Sequence, residues 1–139
     1  MTKINNDAFI KLSGIKDDKR ISSRVLEEII HHHIKNGRRN IEIEGYGQHG
    51  IGGRLWDAGT DGVHIRITGQ SGQRTGSMGN ANTRIEVMGP ASDDIGWLNA
   101  GARIIVHGNA SNGVMNGAAQ GKVYIGGSIG AREIGRAHV

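Results

Sequence analysis

Five short segments of this chain follow one pattern, two aliphatic residues flanking a single position, then one more residue and a glycine: Ile41/Ile43/Gly45, Ile65/Ile67/Gly69, Ile85/Val87/Gly89, Ile104/Val106/Gly108 and Val123/Ile125/Gly127. Alternation of this kind is the period of a strand with one buried face. The closing glycines stand 24, 20, 19 and 19 residues apart. The stretches Arg84–Ala102 and Arg103–Gly121 align without a gap, matching at Arg84/Arg103, Ile85/Ile104, Val87/Val106, Gly89/Gly108, Ala91/Ala110, Ser92/Ser111 and Ala100/Ala119. A unit of about 20 residues cannot bury its own apolar side, whereas stacked copies can, so the expected architecture is a solenoid. Hairpins need loops of about two to five residues. The connections here are more than twice that length, which selects parallel coiling over a meandering antiparallel barrel.

Stacking then assigns each position a row. Ile41, Ile65, Ile85, Ile104 and Val123 are expected in one internal row, and Ile43, Ile67, Val87, Val106 and Ile125 in a second. Ile51, Leu55, Ile95, Leu98 and Val114 are further inward candidates. Gly45, Gly69, Gly89, Gly108 and Gly127 are expected at the corners, where the chain turns or approaches its neighbour closely. On the outside, the row Arg66, Glu86, Ile105, Tyr124 becomes apolar toward its end, and Ile105 with Tyr124 forms a candidate docking face.

The first third of the chain differs. Val25, Leu26, Ile29, Ile30, His33 and Ile34 recur at helical spacing, with Ser22 or Ser23 as N-cap and Gly37 past the C-terminus. The expected organisation is a lead-in over 1–21, an amphipathic helix over 22–37 packed on the solenoid, and the Gly-rich repeat over 40–132. Residues 133–139, Glu-Ile-Gly-Arg-Ala-His-Val, are what a common sequencing adapter encodes. They are expected to be read-through, with the repeat cut short at Arg132.

Composition removes many functions. With 24 Gly, one Pro and 4% aromatic residues, burial must come from aliphatic side chains. There is no cysteine, which excludes thiolate nucleophiles, disulfides, iron–sulfur ligation and Cys-type zinc sites in this chain. No apolar run has the length of a membrane span and no signal-peptide core is present, so a cytoplasmic location is expected and the Asn109-Ala110-Ser111 sequon stays unmodified. The net charge of +4 raises a nucleic-acid partner, but Arg and Lys are spread along the sequence without a stripe or stacking aromatics, and none is expected.

Three constellations invite a chemical role, and each has a plainer explanation. Gly45-Tyr46-Gly47-Gln48-His49-Gly50 satisfies G-x-G-x-x-G after a strand, yet Ile51-Gly52-Gly53 is a poor helix start, which speaks against dinucleotide binding. His31-His32-His33 lacks the i, i+4 spacing of two helical metal ligands. Asp93-Asp94 and Asp57/Asp61 resemble the paired acids of β-helix polysaccharide enzymes but read as solvated corners. No catalytic, cofactor-binding or metal residue is assigned.

Gly47-Gln48-His49-Gly50-Ile51-Gly52-Gly53-Arg54-Leu55, followed by Ile95-Gly96 and Gly101-Ala102-Arg103-Ile104-Ile105-Val106-His107-Gly108, resembles the GXGXG domain. That domain closes the large subunit of glutamate synthase. It also occurs as a separate polypeptide in archaeal-type glutamate synthases and within formylmethanofuran dehydrogenase. The resemblance, from about Ser22 to Arg132, implies a right-handed single-stranded parallel β-helix. It also implies a non-catalytic scaffold role beside amidotransferase and FMN/iron–sulfur synthase domains or subunits, with no cofactor of its own. Met115 and Gln120 depart from the pattern, standing where the preceding unit has Gly96 and Gly101. The alternatives are a scaffold in a formylmethanofuran-dehydrogenase-type complex and a stand-alone carbohydrate-active β-helix.

Overall fold

The computed structural model describes residues 8–55, 62–79, 82–96, 99–109, 120–126 and 137–138. In chain order the elements are β1 (Ile10–Ser13), β2 (Ile15–Lys16), β3 (Lys19–Arg20), α1 (Ser23–Lys35), β4 (Asn40–Tyr46), β5 (Val63–Gln70), β6 (Thr83–Val87), β7 (Ala100–Val106), β8 (Gln120–Ile125) and β9 (Ala137–His138). Seven strands form one sheet in the order β1-β4-β5-β6-β7-β8-β9, and every pairing within it is parallel.

The registers follow the repeat. Ile41, Ile65, Ile85, Ile104 and Val123 pair in one row, and Ile43, Ile67, Val87, Val106 and Ile125 in the other. The described side chains of both rows are buried and share one core with Leu26, Ile30 and Ile34 of α1 and with Ile51, Leu55 and Ile95 of the connections. Each such aliphatic side chain contributes about 1.5–3 kcal/mol on burial. Leu98 and Val114 lie outside the described residues.

The single-stranded β-helix expected from the sequence is corrected by this topology. The structure is an open, mostly parallel sheet with one helix, and β1 and β9 are its two edges, so the sheet does not close on itself. Among the described residues the only other sheet is the two-stranded ribbon β2-β3. The physical reason lies in the connections. After β4 the backbone is left-handed at Gly47, Gly50 and Gly52, and after β5 at Arg74, Gly76 and Met78. Left-handed residues end extended pairing, so these segments turn instead of adding further strands. Single hydrogen bonds still tie successive connections together, from Gly50 N–H to the Gln73 carbonyl, Arg74 N–H to Asp93 and Gly76 N–H to Ile51.

The lead-in contributes more than an approach to the helix. β1 pairs with β4 at Ile10↔Ile41 and Leu12↔Ile43, ahead of the first recognised unit. Ile10/Leu12/Gly14 is the same aliphatic-x-aliphatic-x-Gly pattern, which was the available signal for it. Asp17 and Asp18, both at positive φ, then form the two-residue turn between β2 and β3.

The helix forms for local reasons. The Ser22 hydroxyl caps it by accepting from the Val25 amide at 3.1 Å, and Gly37 at φ +90° leaves it, donating to the Ile34 carbonyl. Leu26 and Ile30 face Ile51 and Leu55 across a shallow depression, so α1 covers the first connection. Ser23 Oγ accepts from the His49 amide at 2.9 Å and pins that connection to the start of the helix.

Candidate docking interface

Strand alternation that buries two rows presents the intervening residues on the opposite face. One outward row reads Glu42, Arg66, Glu86, Ile105, Tyr124 in register. A second reads Asn40, His64, Arg84, Arg103, with Lys122 at the next register position.

The half of this face nearest β4 is locked by charge. Arg66 Nη1 stands 3.5 Å from Glu42 Oε1, and its Nε donates to Glu86 Oε1 at 3.3 Å. The guanidinium lies 4.1 Å from the Phe9 ring centroid, a cation–π contact, and Phe9 meets His64 edge-on at 5.1 Å. Glu86 is the hub. His107 Nε2 lies 2.9 Å from Glu86 Oε2, and because a carboxylate only accepts, the imidazole donates. His64 Nε2 stands 3.4 Å from the other carboxylate oxygen. The hydrogen bond from His107 holds the Glu86 carboxyl below its ordinary range, partial burial opposes this, and Arg66 and His64 reinforce it. Burial pushes the His64 imidazole down, with Arg84 adding to that and Glu86 working against it.

The half nearest β8 is different in character. Ile105 is half-buried and its register partner Tyr124 is 39% exposed, an apolar pair at the end of the charged row; Met88, just past β6, is 44% exposed. Arg84 and Arg103 are exposed beside it, and no ion pair joins either to a carboxylate among the described residues. Sequence inspection finds no basic stripe because these residues are 19 positions apart; parallel register makes them neighbours.

The corner glycines divide by environment. Gly69 sits at φ +71°, and a side chain there would meet the Gly45 backbone. Gly45 and Gly108 lie against neighbouring backbone, whereas Gly89 borders open space at an ordinary φ; Gly127 lies outside the described residues.

The described residues after Gly50, 51–55, form a turn and not a helix. Gln48 in that loop is a buried structural tie that sequence inspection missed: its Nε2 donates to the carbonyls of Gly14 at 2.9 Å and Ile21 at 3.0 Å, and its Oε1 accepts from the Tyr46 amide at 2.8 Å. His49 Nδ1 accepts from the Gln73 amide at 2.9 Å, leaving Nε2 to carry the ring proton. A groove of about 400 Å³ lies alongside, lined by His49, Gln70, Ser71, Gln73, Pro90 and Ser92 among others.

In the histidine run, His32 is exposed while His31 and His33 are half-buried, and His31 faces Glu27 at 3.9 Å. Burial lowers the His33 pKa, with His32 and Arg38 adding to the effect. Among the described residues no three metal-ligating side chains converge. Asp94 takes a left-handed turn conformation, and Asp57 and Asp61 lie outside the described residues. No described helix is long and apolar enough to cross a membrane.

Compared with protein-family models, with curated proteins and with solved structures, the chain matches none.

Proposed function

We propose that this chain is a non-catalytic structural domain or subunit of a glutamate-synthase-like oxidoreductase complex in the cytoplasm, holding amidotransferase and FMN/iron–sulfur synthase parts through the outward face of its sheet. The observation that carries the reading is the asymmetry of that face. Around Glu86 charged groups engage one another, with Arg66 and His107 both bonding its carboxylate, whereas beside it Ile105 and Tyr124 form an apolar pair in register flanked by two exposed arginines. Apolar centres with charged rims are what protein interfaces are built from. The absence of any cysteine in the sequence supports a supporting role, since the amidotransferase step of such a complex requires a thiolate nucleophile.

The test is co-expression of the tagged chain with the amidotransferase and synthase subunits of a glutamate synthase. Co-elution is expected, together with no glutamine hydrolysis by the chain alone. Ile105→Asp combined with Tyr124→Ala should abolish co-elution while leaving the circular dichroism spectrum unchanged. Glutamine turnover by the isolated chain, or co-elution indifferent to those substitutions, overturns the reading.

A further inference from the structure

The docking reading leaves the partner's chemistry open, and the two outward rows narrow it. Arg84 and Arg103 pair directly across β6 and β7, and Lys122 holds the following register position on β8, so the row steps by one strand spacing, about 4.8 Å. The row Glu86, Ile105, Tyr124 runs parallel to it, two residues along each strand, about 6.7 Å away. A cationic stripe therefore runs beside an apolar one, both crossing the strands. Neither arginine has a carboxylate partner among the described residues, and Arg84 already depresses the protonation of His64. Among the described residues the two arginines thus present unpaired positive charge on this face.

An occupant must present negative charge with a matching step and an apolar strip beside it. Side chains three or four residues apart on a helix are about 5–6 Å apart, close to the step of the arginine row. Same-side residues of an extended strand are about 6.7 Å apart and drift out of step sooner. A helix about 10–12 Å across also covers both rows at once. We infer that the β6–β8 end of the outward face receives an amphipathic helix of a partner protein, with Asp or Glu at i and i+3/i+4 over Arg84 and Arg103 and an adjoining aliphatic stripe over Ile105 and Tyr124. This rests on the docking reading above but not on the identity of the complex.

The experiment uses the full chain and a fluorescein-labelled helical peptide of about 18 residues carrying Glu on one stripe and Leu on the next. Fluorescence anisotropy should show binding that weakens as NaCl rises from about 50 to about 300 mM. Arg84→Glu with Arg103→Glu should weaken it by roughly tenfold or more, and Arg84→Gln with Arg103→Gln by an intermediate amount. The same peptide with Gln in place of Glu should lose most of its affinity. Both arginines are exposed, and unchanged far-UV dichroism of the variants confirms that folding is intact. Equal binding of the Glu and Gln peptides, or arginine variants that bind as the parent does, overturns the inference. Binding of a single-stranded DNA oligonucleotide through the same arginines, more tightly than the peptide, also overturns it by making the row a phosphate track. Arginine-dependent peptide binding without co-elution of glutamate synthase subunits upholds the helix-docking chemistry and rejects that complex as its setting.

Discussion

Val106 tests the two-row arrangement most directly. It is 1% exposed and sits in register between Val87 and Ile125, with no ionisable group in either neighbour. Val106→Asp removes a buried aliphatic group, costing about 1.5–3 kcal/mol. The new carboxyl also has no partner, so its least costly route at neutral pH is to stay protonated. Holding a group of ordinary pKa near 3.9 in its neutral form at pH 7 costs about 4 kcal/mol, at 1.36 kcal/mol per unit. The total of roughly 6 kcal/mol matches the entire stability of many domains, about 5–15 kcal/mol. Urea denaturation followed by far-UV circular dichroism should show Val106→Asp largely unfolded at pH 7, while Val106→Ala keeps a cooperative transition. The difference between the two variants should shrink by about 1.4 kcal/mol for each unit of pH lowered toward 4.5, as the protonation cost is relieved. Identical midpoints for the two variants at every pH would place residue 106 in solvent and refute the assignment of the inner rows.

Gln48→Leu should destabilise the fold by several kcal/mol, because it leaves the Gly14 and Ile21 carbonyls and the Tyr46 amide without their partner; thermal melts read the loss, and a melt unchanged from the parent refutes the tie. Glu86 has a folded-state pKa below its ordinary value, so its contribution to stability is complete above the unfolded pKa of about 4.5 and is lost as pH falls through the lower folded value. Glu86→Gln should accordingly flatten the acid limb of the stability profile below about pH 5, measured by urea midpoints across pH; an unaltered limb means that the His107 and Arg66 contacts contribute nothing to folding.

The candidate interface was half legible in the sequence. Ile105 and Tyr124 could be placed outward by alternation alone, because a strand's period is two and each unit restates it. The Glu86 hub could not be anticipated, since it needs His64 and Arg66 of β5 and His107 just past β7 at specified distances. His107 shows the consequence: it faces outward and is 45% exposed, yet an Asp there would set a second carboxylate against Glu86. The basic row was invisible for the same reason, as Arg84 and Arg103 become adjacent only through pairing of β6 with β7.

By itself the sequence determined the positions of β4 to β8, their parallel order, the register of the two buried rows and the place of the amphipathic helix, because each is written in local periodicity. Only the tertiary structure decided the closure and the edges. Left-handed residues at Gly50, Gly52, Arg74 and Gly76 make the connections turn without pairing as strands, so the chain forms one open sheet where the repeat alone implied a coiled helix of strands. It also recruited Ile10–Ser13 as a strand beside β4 and buried Gln48 between β1, β3 and the first connection. Such choices depend on which backbone groups find partners across distant segments, and hydrogen bonding across space leaves no period in the chain.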